Sequence, residues 1–214
     1  MTPFQFNMAR GLIYGELRLR GYKIDEGGSS PDELQYLYAL AKHSDIKRIA
    51  EVGFHLGFSS YAFLKARRDI SVTSFDIGTH SFVPGAKKII DRKFPGRHTL
   101  IYGDSTETVP KFFTQNPGVK FDLIFIDGGH EYDVARADII NTRLLAHPDT
   151  LVIMDDLIPW LPWGKGPVRA WDDAIREGVV VQDELYEDGR VVKSIEPPGK
   201  RGWALGHYLF ESRD

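Results

Sequence analysis

Five apolar runs in this sequence end on, or directly before, an acidic side chain. The acids are Glu51, Asp76, Asp104, Asp127, and Asp155 with Asp156. Such runs, alternating with amphipathic segments, predict the strands of a parallel sheet, and ligands bind at the carboxyl ends of those strands. One acid after a strand often only caps the next helix. Acids at five strand ends would repel one another unless a ligand or cation relieved them, which favours a binding site.

A glycine-bearing turn follows the first of these strands, in the segment IAEVGFHLGFSS at 49–60. Gly53 and Gly57 let the backbone approach a ligand closely, and Ser59 and Ser60 open a predicted helix whose first N–H groups point outwards. Such a turn suits a ligand that is anionic or rich in hydrogen-bonding groups. The spacing E-x-G-x-x-x-G differs from the dinucleotide fingerprint G-x-G-x-x-G, which disfavours a nicotinamide or flavin enzyme.

The elements that position these residues alternate as strand and helix, which predicts an α/β fold. We predict an N-terminal arm over residues 1–28, acting as a lid or a dimer contact, and a single domain over 29–214. Ser30 with Glu33 three residues later forms a capping box that starts the first helix of this domain.

Further elements follow from the periodicity and from proline and glycine positions. We predict helices over 86–93 and 109–114, and a turn at 147–149. Two β segments, 178–194 and 202–212, close the chain without a long helix between them. They predict an antiparallel edge to the sheet.

Composition and charge exclude several classes of protein. The chain has 214 residues, no cysteine and a net charge of −3. This charge makes no case for a nucleic-acid partner, and without cysteine there are no disulfides, thiolate nucleophiles or cysteine metal sites. No apolar run approaches the roughly 20 residues of a membrane span. We expect a cytoplasmic protein with a small-molecule partner, no membrane or nucleic-acid partner, and a possible homodimer.

Taken in order, the motifs resemble one enzyme family. The series is E-x-G-x-x-x-G-x-S, the strand-end Asp76, G-D-S, F-D-L-I-F-I-D-G-G-H and L-V-I-M-D-D. It is similar to class I S-adenosylmethionine (SAM) methyltransferases of the family 24 type, and to the metal-dependent O-methyltransferases acting on catechols, sugars and antibiotics. The resemblance covers about residues 30–160. It implies a Rossmann-like, seven-stranded, mostly parallel sheet with an antiparallel last strand and helices on both faces.

The resemblance assigns the contacts with SAM. Asp76 would accept hydrogen bonds from both ribose hydroxyls, since the two oxygens of a carboxylate match a vicinal diol. Asp104 and Ser105 would touch the adenine ring, and the glycine turn would pass the methionine portion. The predicted cofactor set is Glu51, Gly53, Gly57, Ser59, Asp76, Asp104, Ser105 and Asp127.

The resemblance also implies a metal site at Asp127, Asp155 and Asp156. The fourth and fifth strands are expected to be neighbours, about 4.8 Å apart, so acids at both carboxyl ends could share one ion. Ligands that are all oxygen suit a hard cation, with Mg²⁺ first and Mn²⁺ or Ca²⁺ as substitutes. The alternative is that Asp155 and Asp156 are helix caps or a solvated pair.

His130 is the predicted catalytic base. It stands third after Asp127, where catechol-type enzymes have the lysine that takes the proton of the substrate hydroxyl. A neutral imidazole can accept that proton at ordinary pH. The alternative is that His130 caps the following helix or orients a metal ligand.

The loop after the acid pair carries Trp160, Trp163 and Lys165. Exposed tryptophans beside a site suggest a wall for a flat or sugar-like acceptor. They would equally suit a plug against the sheet or a dimer contact.

The sequence thus predicts an enzyme that moves a methyl group from SAM to a hydroxyl oxygen of a sugar, phenol or natural product, with Mg²⁺. Two alternatives remain. One is a metal-independent N- or C-methyltransferase, and the other is a SAM-binding accessory protein without catalysis.

Overall fold

The computed structural model of the protein describes residues 1–24 and 27–210. Residues 25–26 of the predicted arm and 211–214 of the predicted domain lie outside the described residues. The chain divides into two compact units, Met1–Gly103 and Asp104 onward. In the described residues, no helix is both long and apolar enough to cross a membrane.

The first unit contains three parallel strands in the order β3-β2-β1. Its strands are β1 Arg48–Val52, β2 Ser71–Asp76 and β3 His98–Tyr102, and its helices are α1 Pro3–Leu19, α2 Pro31–Leu40, α3 Phe58–Ala66 and α4 Val83–Lys93.

The capping box predicted at the start of α2 is confirmed. The Ser30 hydroxyl accepts a hydrogen bond from the Glu33 N–H at 3.2 Å, and the Glu33 carboxylate accepts one from the Ser30 N–H at 3.1 Å. Pro31 occupies the first helical position, where its missing N–H is of no consequence. Local sequence therefore determines where this helix begins.

The second unit contains five strands in the order β4-β5-β8-β6-β7. β4 and β5 are parallel, whereas β8 is antiparallel to both β5 and β6. The strands are β4 Phe121–Ile126, β5 Ala146–Met154, β6 Val180–Glu187, β7 Arg190–Val192 and β8 Gly202–Tyr208, and the helices are α5 Ser105–Gln115, α6 Tyr132–Arg143 and α7 Lys165–Arg176.

The α/β class and the antiparallel last strand are confirmed, but the predicted number of strands is wrong. The described residues contain eight strands rather than seven. The extra strand arises because the β segment predicted over 178–194 folds back on itself as the β6–β7 hairpin. Asp188 and Gly189 form its two-residue turn with φ of 46° and 81°, and positive φ at both positions matches the right-handed twist of paired strands.

Three local boundaries also differ from the prediction. The helix predicted over 86–93 begins earlier, at Val83, and the helix predicted over 109–114 begins at Ser105. Residues 147–149, predicted as a turn, lie inside β5. An irregularity in the β4–β5 register between Phe121 and Leu123 accommodates them there.

Candidate active site

The turn after β1 has the backbone conformation that its glycines predicted. Gly53 and Gly57 have φ of 90° and 72°, in the left-handed region. A Cβ atom on Gly57 would lie 2.8 Å from the Phe54 ring and 2.9 Å from Ile90, so a side chain is also excluded by packing. Gly57 is the N-cap of α3, and its end has no side-chain cap. The N–H groups of this first helical turn are thus suited to hydrogen-bond a ligand.

Asp76 lies at the end of β2, and its carboxylate stabilises this turn through hydrogen bonds to backbone N–H groups. One oxygen accepts hydrogen bonds from the N–H groups of Phe54 and His55, both at 2.8 Å, and the other accepts from Gly78 at 2.7 Å. A carboxylate offers about four acceptor positions, so these three bonds leave room for about one more. Asp76 is therefore a rigid, pre-oriented acceptor, and its contact with a ribose diol stays a prediction.

Two exposed apolar side chains near Asp76 were missed by the sequence prediction. Ile77 is 61% exposed and Tyr102, at the end of β3, is 50% exposed. The Tyr102 ring packs over Gly78, since a Cβ atom there would lie 2.8 Å from the ring. An apolar residue directly after a strand-end acid is the signal that could have identified Ile77.

Glu51 is fully buried beneath the turn. Its two carboxylate oxygens accept hydrogen bonds from Ser59 and Ser60, each at 2.5 Å, and from Ser74. Burial raises the pKa of Glu51 to about 7, although the three hydroxyls oppose this shift. Glu51 and Ser59 were both predicted to contact the cofactor. Their observed contacts are with each other, so in this structure they support the turn from below.

His98 continues this buried cluster and was not anticipated from the sequence. Its Nε2 lies 2.9 Å from the Ser74 hydroxyl, and its ring stacks on Phe54 with the centroids 4.9 Å apart. Burial, together with the nearby Lys87, lowers the pKa of His98 to about 4. A lone histidine at the start of a strand carries no sequence signal for this role.

In the second unit, Asp104 caps α5. Its carboxylate accepts hydrogen bonds from the Thr106 N–H at 2.9 Å and from the Thr106 hydroxyl at 2.7 Å. Asp138, on α6, is fully buried, and burial raises its pKa to about 7 while the hydroxyl of Ser105 opposes this shift. Asp104 is thus the N-cap of α5. Contact of Asp104 and Ser105 with an adenine ring stays a prediction.

The predicted neighbours β4 and β5 place two of the three predicted metal ligands, Asp127 and Asp155, at adjacent strand ends. The strands pair through Ile126 and Met154, so Asp127 and Asp155 follow them at adjacent positions. Asp155 and Asp156 are buried, and Asp127 is half-buried.

Asp156 contacts basic side chains. One carboxylate oxygen lies 2.8 Å from His130 Nε2, and the other lies 4.0 Å from the Arg201 guanidinium. Its φ of 59° is a conformation that aspartate and asparagine tolerate better than most residues. The backbone therefore turns at Asp156 in a way that directs its carboxylate to His130.

These acids as placed do not fit the predicted metal site. Across residues 1–24 and 27–210, no group of three His, Cys, Asp or Glu side chains is positioned to hold an ion. The carboxylate of Asp156 contacts His130 and lies 4.0 Å from the Arg201 guanidinium, which would compete with a divalent cation for it. The magnesium prediction is not supported.

His130 does not cap the helix that follows it. The N-cap of α6 is Glu131, and no side chain of the described residues caps this end. The His130 side chain is 49% exposed, although its Nε2 is held by Asp156. The imidazole is therefore both oriented and accessible.

A cleft of about 600 Å³ lies beside His130. Trp163 forms part of its wall and is 44% exposed. Trp160 instead donates a hydrogen bond from its indole N–H to the carbonyl of Gly199 at 3.1 Å. The two predicted roles for this loop are thus divided between its tryptophans, since one lines the cleft and the other packs against the protein.

Residues 50–157 match the protein family described as "Methyltransferase domain". The chain belongs to this family. The predicted identity as a SAM-dependent methyltransferase of the family 24 type is thereby confirmed. The matched segment contains the glycine turn, all the strand-end acids and His130.

Curated relatives and solved structures resemble this methyltransferase over most of their length. A Mycobacterium tuberculosis protein with an O-methyltransferase name is 26% identical over 197 residues, which cover 90% of this chain and 84% of the relative.

Among solved structures, an O-methyltransferase from Bacillus cereus in complex with S-adenosylhomocysteine (SAH) has a TM-score of 0.72 at 17% identity, covering 93% of this chain and 90% of that one. The O-methyltransferase TomG from Streptomyces achromogenes, in complex with SAM, has a TM-score of 0.65 at 18% identity, covering 92% and 96%. These likenesses confirm the Rossmann-like fold.

Proposed function

We propose that this methyltransferase moves the methyl group of SAM to a hydroxyl oxygen of a small-molecule acceptor. The O-methyltransferase names of its relatives support the choice of oxygen, and the neighbours that hold SAH or SAM support the cofactor. In the first unit, the glycine turn and the pre-oriented carboxylate of Asp76 supply donors and an acceptor suited to that cofactor.

The observation that carries the proposal is His130, held by Asp156 and open to the cleft. A neutral imidazole has one donor and one acceptor nitrogen. In this proposal Nε2 carries the proton shared with Asp156, and Nδ1 accepts the proton of the substrate hydroxyl. His130 is thus the general base, and Asp156 is the residue that sets its tautomer and orientation.

Methyl transfer is one in-line displacement. The acceptor oxygen forms a bond to the methyl carbon as the bond from that carbon to the sulfonium sulfur breaks, which yields SAH. The proton of the hydroxyl passes to His130. The protein contributes by positioning the reactants and by supplying the base. No step runs through a metal ion, because the acids predicted to hold one do not fit it as placed.

The test is methyl transfer by the purified protein with SAM and a panel of phenol and sugar acceptors, with SAH and methylated product measured by mass spectrometry. We expect SAH to form only when an acceptor is present, and the methyl group to be on oxygen. A methyl group on nitrogen or carbon would instead support the N- or C-methyltransferase. Tight SAM binding without turnover of any acceptor would support the accessory protein.

A further inference from the structure

The cleft beside His130 has two cationic side chains on one face of α7. Lys165 and Arg169 are four residues apart, so they project from the same side of the helix. Both line the cleft, and both are exposed. The wall therefore presents two positive charges at neighbouring points.

These two charges are not neutralised by ion pairs. Within the part of the chain that the structure describes, neither Lys165 nor Arg169 forms a salt bridge, although Arg169 interacts electrostatically with Asp173, one turn further along α7. The Arg169 guanidinium lies over the Tyr132 ring, 4.1 Å from its centroid, which orients the group without consuming its charge. Glu131 is the acid that lines the cleft. Among the residues that line the cleft, two cations therefore accompany one acid.

Close backbone packing holds the cations beside His130. A Cβ atom on Gly166 would lie 2.1 Å from the carbonyl oxygen of His130 and 2.7 Å from the Tyr132 nitrogen. Only glycine permits this approach of the first turn of α7 to the 130–132 backbone. The distance between the base and the two cations is therefore set by the fold.

We propose that the cleft takes an acceptor that combines a ring with an anionic substituent, either carboxylate or phosphate. The ring packs against Trp163, whose exposed face suits a flat or sugar-like ring. The anion binds to Lys165 and Arg169, and a guanidinium can hold a carboxylate or phosphate through two parallel hydrogen bonds. A hydroxyl on the ring then lies toward His130. This inference rests on the proposed function, since it names the acceptor class for the same site.

The first experiment measures binding without turnover. Benzoate, phenyl phosphate and the uncharged benzyl alcohol are titrated by calorimetry into the SAH-loaded wild type and into Lys165→Gln, Arg169→Gln and Lys193→Gln. Lys193 is an exposed lysine outside the cleft and serves as the matched control.

We expect at least one anion to bind more tightly than benzyl alcohol, and each cleft variant to weaken that binding by about tenfold, as for the loss of a charge-assisted hydrogen bond. The anion that binds more tightly distinguishes a carboxylate from a phosphate acceptor. The inference is overturned if neither anion binds better than benzyl alcohol, or if the cleft variants bind the anions as the wild type does.

The second experiment compares methyl transfer to 3,4-dihydroxybenzoate and to its neutral methyl ester. We expect Lys165→Gln to raise KM for the acid by a larger factor than KM for the ester. Equal turnover of acid and ester in every variant would overturn the anionic acceptor while leaving methyl transfer intact. Anion binding in the first experiment without methyl transfer to any hydroxyl would overturn the proposed function alone.

Discussion

Each of the two units contains a buried carboxylate that contacts polar side chains, and the two clusters differ in their access to solvent. Glu51 is enclosed with three serine hydroxyls and has no access to solvent. Asp156 is also buried, but its partner His130 is 49% exposed and lines a cleft. The first cluster is closed and supports a turn, whereas the second is open and places a titratable side chain beside a cleft. Both acids are buried, so the two clusters differ in the exposure of the side chains that contact the acid.

The position of each acid relative to its strand accounts for this difference. Glu51 is the fourth residue of β1, so its side chain points into packed protein. Asp156 follows the end of β5, and its left-handed backbone turns the carboxylate toward a loop histidine. The serine hydroxyls around Glu51 lie inside the protein, whereas the imidazole of His130 extends to the surface.

The largest expected effect is a loss of reaction rate at the open cluster, which consists of Asp156 and His130. His130→Ala should lower the rate of the methyl-transfer step by roughly 10²–10⁴, the usual contribution of a general base. SAH binding and the melting temperature should persist, since the side chain is half-exposed. Single-turnover kinetics and calorimetry measure both.

The matched control for that variant is His43→Ala, which removes an exposed histidine that does not line the cleft. It should react at the wild-type rate. A His130→Ala protein that unfolds easily but reacts normally would contradict the role as a base.

Substitutions in the closed cluster, Glu51 with its three serines, should instead lower the stability of the fold. Glu51→Ala leaves buried hydroxyls without their acceptor and opens a cavity, so the free energy of unfolding should fall by about 2–4 kcal/mol. Ser60→Ala should cost less, because it removes one donor and keeps the carboxylate. Denaturant titration provides these values. A Glu51→Ala protein as stable as the wild type would show that the cluster does not support the turn.

The pH dependence of stability sharpens the same distinction. The pKa of Glu51 is about 7 in the folded protein and 4.5 in its ordinary state. Between these values only the unfolded chain releases the proton, so the contribution of Glu51 to stability falls as pH rises from about 4.5 to 7. His98, with its pKa lowered to about 4, acts in the opposite direction, since its contribution rises with pH up to about 6.5.

Because Glu51 and His98 act in opposite directions, the test compares the free energy of unfolding of two proteins at each pH. Relative to the wild type, Glu51→Gln should gain roughly 1–3 kcal/mol of stability between pH 4.5 and 7, because glutamine has no proton to release. Urea unfolding across this range measures the gain. A difference that stays constant with pH would contradict the raised pKa.

A smaller effect is expected at Asp156. Asparagine tolerates the same backbone conformation and has nearly the same size, so Asp156→Asn removes the charge alone. The rate should fall by roughly 10–100-fold, as for other carboxylates that orient a histidine, and the pH–rate profile should shift. Asp133→Asn, at an exposed acid on α6, is the control. An unchanged profile would mean that His130 acts without Asp156.

The smallest effect is expected from removal of divalent cations. Methyl transfer in excess EDTA should match the untreated rate, because the carboxylate of Asp156 already contacts His130 and lies near the Arg201 guanidinium. A loss of activity that Mg²⁺ restores would overturn the metal-free mechanism and return Asp127, Asp155 and Asp156 to the metal assignment.

Local signals were sufficient for much of the fold. The Ser30–Glu33 capping box and the glycine turn at Gly53 and Gly57 each formed as predicted. They did so because a cap and a left-handed turn depend on residues close together in the chain. The turn at Asp188 and Gly189 has a comparable Asp-Gly signal, but the sequence prediction of a single β segment over 178–194 does not include it.

The sequence predicted candidate site residues but not the contacts that they make. The sequence by itself determined the strand-end acids, the turn and His130, since each follows from the order of elements along the chain. The tertiary structure decided that Glu51 is enclosed by serines, that Trp163 rather than Trp160 lines the cleft, and that Asp156 meets His130. Those outcomes depend on which side chains from distant segments come into contact and which of them stay exposed, and no local spacing encodes either property.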